Sequence, residues 1–324
     1  MKIIKLLLFF WVISNFTYAQ SDSLAFAMHK NRITVHTSLS LKDAPFSLRD
    51  KFGNFKRLNY RANLNVIHGF GIAHKWFAIN INYKLPGYVR NTEKFGKTNY
   101  FDLGVQFSLK KWYFRVDFHD YRGYGIKNAS KIADTIPLST SGYFLNSKIQ
   151  SASLGINAYH FFSKDLNMQA AIGIKGRYTQ RVHGPYIRIT TNLHGISANK
   201  GLIPHNFFDS ESSIHLSESI TAFDVGAIPG YAFLNNIDGW QFGAFVGLGG
   251  VIQAKVYNYP GNQRGFLGLA PRVDLKLQVG YNVKNWFLML TSSFDQKNIR
   301  FKTFRYNQLY YYVRLAYGYR FKYE

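Results

Sequence analysis

Residues 308–323 read QLYYYVRLAYGYRFKY. Leu309, Tyr311, Val313, Leu315, Tyr317, Tyr319, Phe321 and Tyr323 alternate with Gln308, Tyr310, Tyr312, Arg314, Gly318 and Arg320. A period of two puts the first set on one face of a β-strand and the second on the other. An aromatic, aliphatic face opposite a face carrying arginine and glutamine suits a strand between lipid and a wet interior. Barrel-assembly machinery reads terminal strands of this kind, although Glu324 follows the last aromatic residue here.

The same alternation recurs upstream. It predicts twelve strands, near 33–41, 58–72, 76–85, 98–109, 112–121, 146–160, 166–179, 222–233, 240–255, 266–281, 286–295 and 308–323. Most reach the length that a tilted strand needs to cross a bilayer. Connections near His74, Lys110, Lys164, Asn236 and Lys284 read as short, and those near Lys51, Thr92, Ser130, Lys200, Pro260 and Arg300 as longer. Short periplasmic turns, long outer loops and an even strand number define an all-β, single antiparallel transmembrane β-barrel. Trp76, Trp112, Trp240 and Trp286 each follow a short turn. Tryptophan favours the lipid–water boundary, so these four are expected as a membrane-interface girdle on the periplasmic rim. Trp76 has the opposite parity to Phe77, Ile79 and Ile81. Pro229 and Pro271 fall inside strands and are expected at bulges, because proline removes a ladder donor. The stretch 180–221 reads as a long outer loop in which 186–193 forms an extra strand. The competing architecture is an exported β-sandwich, which also alternates.

Composition agrees with an exported barrel. Lys2 and Lys5, an apolar run from Ile3 to Ile13 and small Ala19 make residues 1–19 a signal peptide, leaving 20–324 as the barrel. The chain has no cysteine, which excludes lipoprotein anchoring and disulfides. Tyrosine and phenylalanine number 23 and 29, while the net charge is +23. A basic exported protein suits anionic lipid, lipopolysaccharide above all. Export argues against a nucleic-acid partner.

The segments GFGIAHKWFAININYKLP (69–86), GKTNYFDLGVQFSLKKWYFRVDFHDYRGYGI (96–126) and PGYAF (229–233) resemble an uncharacterised family of exported Bacteroidota proteins, domain of unknown function 4421. The middle segment carries most of the resemblance, through Lys97, Thr98, Tyr100, Phe101, Asp102, Trp112, Tyr121 and Gly123. The resemblance spans nearly the whole mature chain. It implies an outer membrane barrel of a Gram-negative bacterium and assigns no activity.

Strand parity predicts a lumen lined by Arg61, Asp102, Arg115, Asp117, Lys175, Arg177, Arg272, Asp274, Lys276, Arg314 and Arg320. Bases outnumber acids there. A water-filled bore of this kind makes a narrow passive channel or solute-binding pore for small anionic solutes. In the alternative the charges pair and the lumen is closed. Asp117 and His119 share a face, as a carboxylate orienting an imidazole must, so an enzyme hydrolysing lipid or peptide is the second function class. His36, Ser38 and Ser40 face inward on the first strand. A polar network at the rim is the plainer reading of the Asp117 and His119 pair. A structural barrel whose loops bind surface partners is the third class. The ten histidines show no metal-ligand spacing, and Gly247, Gly249 and Gly250 form no nucleotide loop, so no metal or cofactor is expected. The set Lys297, Arg300, Lys302 and Arg305, with Phe301 and Phe304, reads as an outer loop resting on lipopolysaccharide.

Overall fold

The computed structural model describes residues 25–322 apart from 30, 51–56, 65, 76, 86–89, 110, 132–137, 200, 205–214 and 303. The expected leader and Trp76 lie outside the described residues. The strands are β1 (Phe26–Met28), β2 (Arg32–Asp43), β3 (Phe46–Arg49), β4 (Leu58–Arg61), β5 (Val66–His74), β6 (Phe77–Lys84), β7 (Asn99–Leu109), β8 (Trp112–Ile126), β9 (Phe144–Phe161), β10 (Gly176–Tyr178), β11 (Val182–Ser197), β12 (Ser219–Ile237), β13 (Trp240–Tyr259), β14 (Asn262–Asn282), β15 (Trp286–Arg300) and β16 (Arg305–Lys322). Single helical turns stand at α1 (Thr92–Phe95) and α2 (Met168–Ala171).

Twelve strands, β2, β5 to β9 and β11 to β16, pair antiparallel as a ring that closes where β16 meets β2. Outward positions are apolar and bare: Leu248 is 68% exposed, Leu267 80% and Leu269 82%. Inward positions of the wall strands carry His194, Asp224, Arg272 and Asp274, all buried. This alternation is what lipid outside and polar groups inside demand of a barrel. Tight turns set the register at the periplasmic end. Asp238 and Gly239 both have positive φ, 51° and 88°, between the paired Ile237 and Trp240. Two left-handed residues make the turn whose twist matches flanking strands.

Several expectations are corrected. The segment 166–179 is not a wall strand. Residues 162–181 fold into the periplasmic end of the bore as α2 and β10, and β10 pairs with β1. The seventh wall strand is β11, so 186–193 belongs to the wall rather than to an outer loop. The connections at Pro260 and Arg300 are tight, with Tyr259 paired to Asn262 and Arg300 to Arg305. Neither proline sits at a register shift. At Pro229 the β12·β13 ladder skips from Ala227↔Gly250 to Gly230↔Gly247 without changing register. Pro271 lies on β14 beyond the point where its ladder with β15 stops, at Leu275↔Phe294. The strand expected over 58–72 is broken into β4 and β5. Leu58, Tyr60 and Ala62, which strand parity sets on the face opposite lumen-directed Arg61, are buried inside. They turn inward because β3 and β4 fold over the outer end and reach β8 through Tyr60↔Ile126 and Arg61↔Gly125.

Both ends of the bore are therefore filled. At the outer end Phe46 stacks on Tyr60 at 4.3 Å, and Tyr60 Oη donates to Leu202 O at 2.6 Å. Ile299, Phe301, Phe304 and Tyr306 pack around them. At the periplasmic end Leu166, Met168, Ala170 and Ala171 pack on Tyr159, Tyr186 and Phe245. Between these two apolar stoppers the lumen is polar.

Candidate functional site

The middle of the bore holds two cavities, of about 90 Å³ and about 50 Å³. Lys42, Arg115, Asp117, Lys276 and Tyr312 border both and form the septum between them. Each cavity has room for a few waters. Because wall strands alternate, every second residue delivers its side chain here. Among the described residues seven cations, Lys42, Arg115, Arg188, Arg272, Lys276, Lys297 and Arg314, face six aspartates, Asp43, Asp102, Asp117, Asp224, Asp274 and Asp295.

The charges are largely paired. Asp274 accepts from Arg188 at 3.1 Å and Tyr186 at 2.8 Å, with Lys276 at 3.8 Å. Arg188 also approaches Asp295 at 4.0 Å, and Arg115 meets Asp117 at 2.7 Å. Nearer the outer stopper Asp224 takes Arg272, His194 at 2.9 Å and Gln253 at 2.8 Å. Buried ions persist where such pairs and hydrogen bonds compensate their lost hydration. A third group joins Asp102 to Lys42, to the Tyr100 hydroxyl and to His119 Nδ1 at 3.0 Å. The carboxylate nearest His119 Nδ1 is thus Asp102, on the neighbouring strand. Asp117 belongs to Arg115. Ser153 stands opposite His119 in the β8·β9 register, so Asp102, His119 and Ser153 form a row across three strands. Ser153 Oγ accepts from Lys297 Nζ at 2.8 Å. Among the described residues no three His, Asp or Glu side chains group as a metal site.

A family profile described as "Domain of unknown function (DUF4421)" matches residues 20–321. The chain belongs to the DUF4421 family. No curated protein matches it. Among solved structures the toluene transporter TodX of P. putida is 8% identical, with 91% of each chain covered and a TM-score of 0.30. An outer membrane channel from Pseudomonas putida F1 is 8% identical over 94% of this chain and 100% of its own, with a TM-score of 0.37. OmpT, an outer membrane protein of Vibrio cholerae, is 8% identical over 94% and 99%, with a TM-score of 0.34. Nothing about this chain's substrate follows from likeness at that level. Its closed ring, apolar exterior and charged interior make this DUF4421 member a transmembrane β-barrel of the outer-membrane type.

Of the lumen residues expected from sequence, Asp102, Arg115, Asp117, Arg272, Asp274, Lys276 and Arg314 face the DUF4421 bore. Arg61 stands at the outer hairpin, paired with Asp43 at 3.1 Å. Lys175 and Arg177 belong to the plug, 162–181, and Arg320 holds that plug through Gly173 O. With Arg32 and Lys284 they leave the periplasmic mouth strongly basic. Burial together with Arg320, Arg32, Arg177 and Lys284 lowers the His29 imidazole to about 4, and burial lowers the Lys175 ammonium to about 7. Four wall residues latch the plug backbone. Gln241 donates to Ala170 O and Ala171 O at 2.9 and 2.6 Å, Asn282 to Gly176 O at 3.1 Å and Thr34 to Ile174 O at 2.9 Å, beside Arg320. Trp112, Trp240 and Trp286 all lie at the first residue of a strand leaving the periplasmic end. Trp240 and Trp286 both meet Tyr281, at 5.7 and 5.4 Å. Sequence reasoning missed Arg188, because its strand was read as a loop, and Lys297, which points into the bore instead of resting on lipopolysaccharide. Phe301 and Phe304 likewise fill the outer stopper.

Proposed function

We propose that the barrel is a gated, anion-preferring solute pore whose central chamber binds a small polar solute between two stoppers. The observation that carries this reading is the plug. It lies inside the wall without joining the ring, and wall side chains hold its backbone. A charged chamber of seven cations and six aspartates behind such a plug, with three cations to one aspartate at its septum, suits an anion better than a cation. Arg115, Arg272, Lys276 and Arg314 are the biasing residues, with Lys175, Arg177 and Arg320 at the exit. Residues 1–19 serve as a cleaved leader, barrel-assembly machinery inserts the chain, and Trp76, Trp112, Trp240 and Trp286 anchor the periplasmic rim. Lipopolysaccharide faces the outer rim of what we take to be a Bacteroidota membrane. In planar bilayers the native chain is expected to stay shut. Gln241→Leu loosens the plug and Tyr60→Ala the outer stopper. The two together are expected to give anion-selective current. A bilayer that stays sealed with both stoppers loosened would overturn the reading.

The row of Asp102, His119 and Ser153 favours a second reading, a hydrolase acting on an acyl ester or peptide admitted to the chamber. It expects Ser153→Ala and His119→Ala each to abolish turnover of a chromogenic ester while the barrel stays folded. Turnover that survives both substitutions removes it.

A further inference from the structure

The wall is not zipped all the way round. β14 and β15 pair only from Asn282↔Phe287 to Leu275↔Phe294. Beyond that point β14 continues to Asn262 on β13 alone, and β15 continues to Arg300 on β16 alone. Extending the register would set Pro271 opposite Asn298. Proline has no N–H to offer a neighbouring strand. Side chains make up the loss: Arg272 donates to Gln296 O, Gln253 to Asn298 O at 2.8 Å and Lys255 to Arg300 O. Gln253 and Lys255 come from β13, one strand further back. They cross beneath β14 where Gly268 leaves space, since a Cβ there would lie 2.8 Å from Lys255 Nζ. The outer halves of β14 and β15 are thus joined by three side-chain contacts instead of a backbone ladder. An unpaired strand edge in hydrocarbon is costly and needs a reason.

The chemistry at this gap is one-sided. All three bridging groups are donors. Lys255 makes no ion pair among the described residues, and its ammonium lies 5.6 Å from the Phe301 ring. Leu267 and Leu269 flank the gap on the lipid side, at 80% and 82% exposure. A molecule with an anionic head and an apolar tail satisfies both halves: the head replaces the β15 carbonyls as acceptor, and the tail lies along the leucines. We propose that the seam between β14 and β15 is a lateral portal that admits an anionic amphiphile from the outer leaflet toward the central chamber. This rests on the reading of the chamber as a solute site, but access through the seam is measured without any current.

The native chain lacks cysteine, so single cysteines report cleanly. Ala270→Cys lies on the inner face of β14 beside the gap, and Ala222→Cys on the inner face of β12 behind intact ladders. The full chain is folded into dimyristoylphosphatidylcholine vesicles, with folding checked by gel mobility before and after boiling. Pyrenylmaleimide dissolved in the bilayer is expected to label Ala270→Cys at least tenfold faster than Ala222→Cys. Dodecanoate is expected to slow that labelling at least threefold, and dodecyl maltoside to leave it unchanged. Lys255→Gln keeps a hydrogen-bond donor and removes the charge. In that background labelling persists and protection by dodecanoate is lost. Equal rates at the two cysteines overturn the portal, as does labelling of Ala270→Cys only by a water-soluble charged maleimide, which would put the edge in water. Undiminished dodecanoate protection in Lys255→Gln overturns the choice of an anionic head.

Discussion

Asp224 shows what the interior asks of single residues. It is fully buried, with Arg272, His194 and Gln253 all converging on its carboxylate. Removing one member of a buried pair strands the other charge, which costs about 3–5 kcal/mol. Asp224→Ala is expected to lower stability by that amount in urea unfolding from vesicles. Replacing both partners, as Asp224→Leu with Arg272→Met, recovers most of it, because no orphan charge remains. A double variant no more stable than the single one would show that Arg272 matters for its bond to Gln296 O rather than for its charge. Arg272, Asp274 and Lys276 were legible in the sequence, because the strand around them alternates without a break. Lys42, Arg188 and Asp295 were not. A cation's partner across the bore depends on strands far apart in the chain, and no local pattern records it.

The plug is the element whose behaviour depends most on solution conditions. His29 sits beside Arg320 from β16, Arg32 from β2, Arg177 from β10 and Lys284 from the β14–β15 turn. Docked, its imidazole is lowered to about 4 from 6.5 by burial and by those four cations. Between these values His29 binds more protons in the undocked state than in the docked one, so docking weakens as pH falls from 6.5 toward 4. Lys175, lowered to about 7 from 10.5 by burial, adds a second rise in docking strength above pH 7. The protection of amides in 166–178, taken as the exchange rate relative to the intrinsic rate at each pH, is expected to fall on acidification, and His29→Ala to flatten that slope below pH 6.5. An unchanged slope in the variant would assign the acid response elsewhere. Gln241 sets the baseline. Its side-chain bonds to Ala170 O and Ala171 O are each worth about 0.5–1.5 kcal/mol. Gln241→Leu therefore speeds exchange in the same residues at neutral pH. The sequence hid this element for a physical reason. Residues 166–179 alternate small and apolar groups as a strand would, yet Gly173 has φ 79° and breaks the run. The true wall strand, β11, presents Arg188, Thr190, Asn192 and His194 inward, and isolated from its partners it resembles a polar surface hairpin.

At the scale of the whole molecule, alternation was enough to specify a closed ring and its strand number, with 166–179 standing in for β11, since each wall strand needs only an apolar outside and a polar inside. It was not enough to specify what fills the ring. Both stoppers come from segments that alternate as well as the wall does, and only packing against distant partners sends them inward. Two stoppers in series give a conductance expectation that neither gives alone. Gln241→Leu acts only on the periplasmic one and Tyr60→Ala only on the outer one, so each single variant is expected to remain shut. Once both are loosened, the septum of Lys42, Arg115, Asp117, Lys276 and Tyr312 becomes the narrowest polar step. Three cations against one aspartate there favour an anion, and the low dielectric of the wall strengthens the bias relative to water. Adding Arg115→Gln and Lys276→Gln to the double variant is expected to keep the current and to move the reversal potential in a potassium chloride gradient toward zero. Current that keeps its anion preference after both substitutions would move the selectivity to the periplasmic mouth. There Arg177→Gln becomes the deciding substitution.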